Sequence, residues 1–410
     1  MTDAPPAAAP PPATPAQHAR HPGLATLALL LGTVAIGTTE WASMGLLTDI
    51  AAGIHASIPA SGHAISAYAV GVVVGAPVVA ALTARSPRRA VLIALMALFA
   101  VGNLASAFAG DLPQLMAARF LAGIPHGAFF GLASIVAVDI ADPARAGRQV
   151  GRVMLGIPVA NIAGVPAVTW LGQHVGWRSA FVVIAAMGLL TIVLVLATIP
   201  WIPGDPSADL RSELAAFHSN AVWLNLLIGA IGFGGMFALV TYIGPVLQHV
   251  TGLGPGAVPV AMLVLGLGGF AGTAAAGRLV GRSVTRTLAA GIVGTGVMLV
   301  VFAAVASWAV PAMVAIFLVS FATGLLVVAL QIRLMAVAGT ARTLGAASNH
   351  AALNLANALG AWVGGLVLDA GWGWRAPSLV GAGLSTLGLV AFLASLREPA
   401  PSPIRNCARN

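Results

Sequence analysis

Residues 161–178 read NIAGVPAVTWLGQHVGWR, and residues 357–375 read NALGAWVGGLVLDAGWGWR. Asn161-x-x-Gly164 returns as Asn357-x-x-Gly360, 196 positions later. Gly176-Trp177-Arg178 returns as Gly373-Trp374-Arg375, 197 positions later. The basic turn Arg85-x-x-Arg88 is echoed by Arg278-x-x-x-Arg282. Three echoes at nearly one offset imply a duplicated unit. Both copies sit in apolar stretches, and windows of about 20–25 apolar residues, the length that crosses a bilayer, recur through the chain. They fall near 24–48, 61–83, 90–110, 114–138, 150–171 and 177–200, and again near 221–247, 257–277, 287–307, 311–333, 346–368 and 376–396. The expected architecture is therefore an all-α membrane protein of twelve transmembrane helices in two pseudo-symmetric six-helix bundles. Residues 23–200 form the N-terminal bundle and 221–397 the C-terminal one. A cytoplasmic linker (201–220) joins them, and disordered or polar cytoplasmic tails (1–22 and 398–410) flank them.

Composition supports this. The 410 residues are 59% hydrophobic and 7% charged, with a mean hydropathy of +0.97. Soluble domains carry roughly 25% charged residues, so these cannot clothe a water-facing surface, whereas lipid demands apolar side chains. The formal net charge of +8 comes from scattered arginines and no lysine, not from a basic patch with aromatics, which argues against nucleic-acid binding. One cysteine, Cys407, excludes an intrachain disulfide and any metal site built on cysteines. Without lysine there is no P-loop to hold ATP. No cofactor and no metal site are expected.

Arginine placement sets the orientation. With the N-terminus inside, sixteen of the nineteen arginines fall on the inner side, and only Arg178 and Arg375 face outward. Arg119 lies within a span. This asymmetry puts both termini in the cytoplasm, and the expected location is a bacterial inner (plasma) membrane.

Ionisable groups inside spans cost roughly 2.5–3.5 kcal/mol each even on lenient scales, so the few present mark candidate chemistry. They are Glu40, Arg119 and His126, with Asp49 and Asp139 at span ends. At a rise of 1.5 Å per residue, Glu40 and Arg119 sit at similar depths, roughly 13 and 9 Å below the outer surface. His126, seven positions after Arg119, shares its helical face about two turns deeper. The expectation is a polar cluster of Glu40, Arg119 and His126 facing a shared cavity and coupling protons, with Asp49 as a further candidate; a static ion pair between the first and fourth helices is the plainer alternative. His350, Asn354 and Asn357 share one face of the eleventh span and, with Asn161, could hydrogen-bond a solute. Trp41, Tyr68, Phe129 and Phe233 could line an aromatic pocket.

These residues also carry a resemblance. Gly37 through Ala51, with Glu40-Trp41 and Thr48-Asp49, resembles the first-span signature of the bacterial twelve-span drug/metabolite:proton antiporters of the major facilitator superfamily, in the branch of arabinose-efflux-like and chloramphenicol-efflux permeases. Arg119 through Gly131 resembles that family's fourth-span motif, whose arginine is implicated in proton transfer, and Gly156 through Pro166 its fifth-span antiporter motif. The resemblance covers residues 24–397. It implies a major facilitator fold and an inner gate at Arg85, Arg88 and Arg89. The superfamily's loop there usually reads Gly-x-x-x-Asp-Arg-x-Gly-Arg-Arg; this chain has Ala80-x-x-x-Ala84-Arg85-Ser86-Pro87-Arg88-Arg89 and lacks the acid. Arg85 is then expected to find another partner, Asp139 or Asp142.

The reading is a secondary active transporter working by alternating access, a proton-coupled exporter of a small drug-like or metabolite solute. It would act as a monomer whose partners are solute, protons and lipid. The alternatives are a symporter or uniporter importing a sugar or nucleoside, and a membrane-embedded enzyme using His126 or His350. The repeat disfavours the enzyme, since a catalytic centre needs no second matching half.

Overall fold

The computed structural model describes residues 22–83, 85–140, 146–204, 220–337 and 342–396. Twelve of its helices are long and apolar enough to span a bilayer, and we number them α1 to α12. The first six are α1 (Gly23–Gly45), α2 (Ile58–Ala76), α3 (Arg88–Phe108), α4 (Leu112–Asp139), α5 (Arg148–Val175) and α6 (Trp177–Thr198). The second six are α7 (Val222–Thr241), α8 (Ala257–Leu279), α9 (Val284–Val305), α10 (Ala309–Leu334), α11 (Ala351–Asp369) and α12 (Ala376–Ser395). The hydrophobic core divides with the sequence. One cluster draws only on residues 25–199, and the other on residues 228–392 plus Trp41, Met44, Leu47, Ile65 and Val165 at the seam.

The outer wall is apolar and exposed, as at Leu189, Leu190, Val193, Val297, Leu387 and Val390. That is the surface lipid requires. Exposed tryptophans band both ends, with Trp201 and Trp223 at the arginine-rich end and Trp170, Trp308 and Trp372 at the arginine-poor end. Indoles prefer this headgroup depth.

Glycines set the helix spacing inside each bundle. A β-carbon at Gly71 or Gly75 of α2 would strike the carbonyls of Phe120 and Ile124 in α4. A β-carbon at Gly268 or Gly272 of α8 would strike the carbonyls of Phe317 and Phe321 in α10. Both contacts of the first half recur 197 positions later in the second, so the duplication read from sequence is reproduced at the level of backbone contacts. Small residues permit this approach of membrane helices.

The bundles meet at the arginine-poor end. Gln173, near the end of α5, donates to the Pro255 carbonyl before α8 at 3.0 Å. The helix Leu47–Gly53, which prolongs α1, packs against Ile243–His249, which prolongs α7. The Tyr242 hydroxyl donates to the Ala361 carbonyl at 2.7 Å and also lies over Gly62 of α2. Nearer the middle, the Ser66 hydroxyl donates to Ala358 of α11 at 3.1 Å. Access to the centre from that end is shut.

The tails, Ala84, Asp142, most of the linker and the side chain of His350 lie outside the described residues. The helices differ from the apolar windows mainly at breaks. α1 turns at Leu46, α4 kinks at Pro125, and α5 carries a π-helical turn at Ala160–Gly164. Proline removes a backbone donor, and π turns mark places where a helix makes room for a neighbour.

Candidate functional site

The centre of the N-terminal bundle holds a buried polar network. Pro125 kinks α4 beside α2, where Gly123 and Gly127 let the two backbones close up; a β-carbon on Gly123 would strike the Tyr68 carbonyl. This brings Tyr68 of α2 onto α4. Its hydroxyl lies 2.9 Å from His126 Nδ1, and its ring lies 4.4 Å from the Arg119 guanidinium carbon. Arg119 is 1% exposed, Tyr68 1% and His126 2%.

Arg119 reaches across to α1. Nη1 donates to Thr39 Oγ1 at 2.8 Å and Nη2 to the Thr39 carbonyl at 2.9 Å. Thr39 in turn donates to Asn103 Oδ1 of α3 at 2.5 Å. The ring of Phe181 covers the other side of the guanidinium at 5.4 Å. Nε has no partner among the described residues. A buried cation held only by neutral oxygens and rings is a costly arrangement, and one that invites a mobile negative charge.

Glu40 is the next residue along α1. It is partly exposed and within electrostatic reach of Arg119 and Tyr68, yet it forms no ion pair with the guanidinium. Among the described residues the only ion pair is Arg88 with Asp139. The sequence-derived cluster is thus present with different internal bonds. Arg119 binds the threonine beside Glu40, and it and His126 are buried in the bundle in this conformation, not lining an open cavity.

Other candidates divide. Trp41 and Phe233 flank Phe237, with ring centroids 5.4 Å apart in each pair, so this aromatic chain crosses the seam between bundles. Phe129 does not join it; the ring is fully buried against Gly32 of α1. Tyr68 is engaged by His126 and Arg119 and so belongs to the charged network, not to an aromatic pocket. Asn357 is fully buried with neither amide atom partnered, and Asn161 Oδ1, its counterpart in the repeat, is likewise unpartnered among the described residues. Asn354 is buried beside Asn357 on α11. Gly360, one turn from Asn357, rests on Gly234, Phe237 and Ala238 of α7, which puts the carboxamide close to the aromatic chain. A buried amide left unsatisfied costs about 1–3 kcal/mol, so these groups are suited to water or a solute.

At the arginine-rich end one of the two partners expected for Arg85 is corrected, and the other, Asp142, lies outside the described residues. Asp139 pairs with Arg88, while Arg85 is exposed and packs its backbone on Gly204. Arg88 begins α3 and points along it toward the end of α4, whereas Arg85 sits in the turn before Pro87. Arg89 donates to the Leu196 carbonyl at 2.6 Å. Asp49 lies beyond the end of α1, in the first turn of Leu47–Gly53. It is half-buried, away from the Arg119 network, and burial raises its carboxyl above the usual 3.8.

Comparison with known proteins agrees with the geometry. A family model described as Major Facilitator Superfamily matches residues 29–348. The chain is 40% identical over 374 residues to the inner membrane transport protein YdhP of Escherichia coli strain K12, covering 91% of this chain and 96% of that one. It is 33% identical over 377 residues to a chloramphenicol resistance protein of Streptomyces lividans, covering 89% and 94%. It is also 33% identical over 370 residues to the putative transporter AraJ of Escherichia coli strain K12, covering 90% and 93%. A crystal structure of a D-xylose-proton symporter superposes with a TM-score of 0.71 at 16% identity, covering 91% of this chain and 96% of that one. That likeness concerns the fold alone.

Proposed function

The chain belongs to the major facilitator superfamily of membrane transporters, and from that membership and the geometry above we propose that it exports a small drug-like or metabolite solute in exchange for protons. The observation that carries this is the position of Glu40. It is the one carboxylate within α1, in the turn where Arg119 grips Thr39, and it is free of a fixed ion pair. A carboxylate that can gain or lose a proton beside a buried guanidinium changes the charge of the bundle's centre by one unit, and intramembrane ionisable groups of this kind serve as relays. When Glu40 is protonated, the Arg119 charge stands uncompensated and favours a rearrangement. When the proton leaves, carboxylate and guanidinium attract.

The solute would bind at the seam, where the Trp41–Phe237–Phe233 rings, the Asn161 Oδ1 and the Asn357 amide, unpartnered among the described residues, supply flat apolar surface and hydrogen bonds. Binding between the repeats, near the midplane, is the general arrangement in such folds. Export is favoured over import by the resemblance to a chloramphenicol resistance protein. The arginine-rich end would face the cytoplasm with both termini, and the shut end described above would then face outward. A reporter fused at Asn410 should be cytoplasmic and one inserted near His55 external.

Everted membrane vesicles energised with a proton gradient, with chloramphenicol as the probe solute, test the coupling. Wild-type protein should accumulate the probe and release protons as it does so. Glu40→Gln keeps size and most hydrogen bonds while removing the charge, and an amide is cheaper to bury than a carboxylate. It should fold normally and still bind, yet gradient-driven accumulation should collapse to background. Wild-type accumulation in Glu40→Gln sinks the proposal.

A further inference from the structure

Beyond the Glu40–Arg119 pair, the network contains a hydrogen bond that coupling at Glu40 alone leaves unused. Tyr68 and His126 are almost wholly buried, 2.9 Å apart between hydroxyl and Nδ1. Their rings meet edge-on at 5.9 Å, and Phe130 packs on the far side of the imidazole at 5.2 Å. Neither residue is needed to build the helix pair, since the glycines Gly71, Gly75 and Gly123 already set the approach of α2 and α4. A phenol aimed at an imidazole nitrogen inside a membrane bundle is a proton-transfer geometry. The surrounding groups settle its direction. Among the described residues, the titratable or charged groups facing the pair are Arg119 from the same span as His126, and Glu40 from α1. α3 contributes the neutral Asn103, and α6 the ring of Phe181.

Resting on the proton-coupled reading, we propose that Tyr68 relays the proton between Glu40 and His126, which carries it from the level of Glu40 toward the arginine-rich end. Glu40 and Arg119 stand at one level, because Arg119 bonds the residue beside Glu40. His126 is seven positions further along α4, about 10 Å closer to the arginine-rich end. The other end is shut by the Gln173–Pro255 bond and by Tyr242 packed over Gly62, so in this conformation a proton leaving Glu40 travels past Tyr68. The step balances as a concerted hop. The Tyr68 O–H bond breaks as the Nδ1–H bond of His126 forms, and the proton from the Glu40 carboxylic acid, directly or through a water, rebuilds the O–H bond. The phenol stays neutral throughout and the carboxylate is left behind. The imidazolium then gives its Nε2 proton to a water on its arginine-rich side, and water-mediated exchange of the remaining proton from Nδ1 to Nε2 restores the starting tautomer. Arg119 against the Tyr68 ring makes a second positive charge there costly, so the proton passes through His126 and does not rest on it.

The test needs no solute. In lipid nanodiscs, a pH jump read by infrared absorption follows the protonated carboxyl of Glu40, and the band is assigned by its loss in Glu40→Gln. Tyr68→Phe removes one oxygen and keeps the ring under Arg119. It should leave the band's equilibrium amplitude and the melting temperature in place while slowing its decay about a hundredfold, the low end of what a positioned proton-transfer group contributes. A merely structural Tyr68 would move the melting temperature and not the decay. Independently of any variant, nitrogen NMR of histidine-labelled wild-type protein should find His126 Nδ1 as the acceptor, with its proton on Nε2. A wild-type decay rate in Tyr68→Phe, or a proton resident on Nδ1, overturns the relay alone. A carboxyl band that survives Glu40→Gln overturns the coupling reading itself, and the relay with it.

Discussion

The two halves of the chain share a backbone and differ in chemistry. Gly71 and Gly75 press on the carbonyls of Phe120 and Ile124, and Gly268 and Gly272 press on those of Phe317 and Phe321 in the same way. The side chains hung on that scaffold diverge. At the same offset of 197, Arg119 is replaced by Ile316, His126 by Thr323 and Tyr68 by Leu265. Counted from the break that α1 and α7 share, at Leu46 and Tyr242, Glu40 is replaced by Met236. Where His126 meets the Tyr68 hydroxyl, its counterpart Thr323 contacts the Met236 sulfur at 3.2 Å. Where Gly123 leaves space beside the Tyr68 carbonyl, Ser320 donates to the Leu265 carbonyl at 2.7 Å. A duplicated scaffold thus keeps the charge chemistry in one half, while the other supplies apolar and amide surface. On the proposed reading, the shared scaffold would serve the alternation of the bundles, and the broken symmetry would set where coupling resides.

The largest expected effect comes from erasing that difference. The double variant Glu40→Met, Arg119→Ile copies the C-terminal pattern into the N-terminal bundle. Gradient-driven accumulation and solute-induced proton release should vanish. Stability should hold or rise by about 1–4 kcal/mol, because buried charges are often replaced by well-packed apolar groups at no loss. Arg119→Ile alone strands the Glu40 charge and should melt below the double variant. Thermal melting and proton release on one preparation check both statements. A double variant much less stable than wild type would make the network structural glue.

The glycine seams give a smaller effect that should be equal in the two halves. Gly75→Ala and Gly272→Ala each force a helix pair apart and should destabilise by about 1–3 kcal/mol, the usual cost of overpacking. Only Gly75→Ala displaces Ile124 and with it Pro125 and His126, so only that variant should also slow proton release. Equal loss of proton release in Gly272→Ala would show that coupling is spread over both bundles.

Much of this was legible in the sequence, and the reason is the medium. Lipid leaves little choice but apolar helices, so the twelve spans and the duplicated halves stand out as composition. Arg119 and His126 were found together because seven residues return a helix to the same face. What was not legible depends on contacts between helices. The tie from Tyr68 to His126 follows from the close approach of two helices, with Gly71 against Phe120 and Gly123 against Tyr68, and nothing in either segment alone announces it. Arg88 in place of Arg85 as the partner of Asp139 follows from the direction in which α3 starts after Pro87. Phe129 faces Gly32 and not the seam because the kink at Pro125 turns the second part of α4. The π turn at Ala160–Gly164 has no counterpart in α11, which runs unbroken from Ala351 to Asp369, although both carry the same Asn-x-x-Gly pattern.

The smallest effect sharpens the comparison at the shut end. Asp49 in the helix after α1 corresponds to Pro245 in the helix after α7. Burial raises its carboxyl above 3.8, while its own backbone N–H opposes the shift. A carboxyl raised on folding favours the native state only while it can hold its proton. That contribution is full below the unfolded value and is lost as pH rises through the folded value. At neutral pH the native protein carries a half-buried anion that the unfolded chain would hydrate better. Asp49→Asn should therefore melt slightly higher than wild type at pH 7, with the difference closing as pH falls toward about 3.8, the usual value for an aspartate. Proton release should be unchanged, since Asp49 lies outside the Arg119 network. Melting curves across that pH range decide the sign. A variant that melts lower at pH 7 would mean that the charge is held by the amino end of the short helix; one that loses proton release would move the coupling site outward from Glu40 to Asp49.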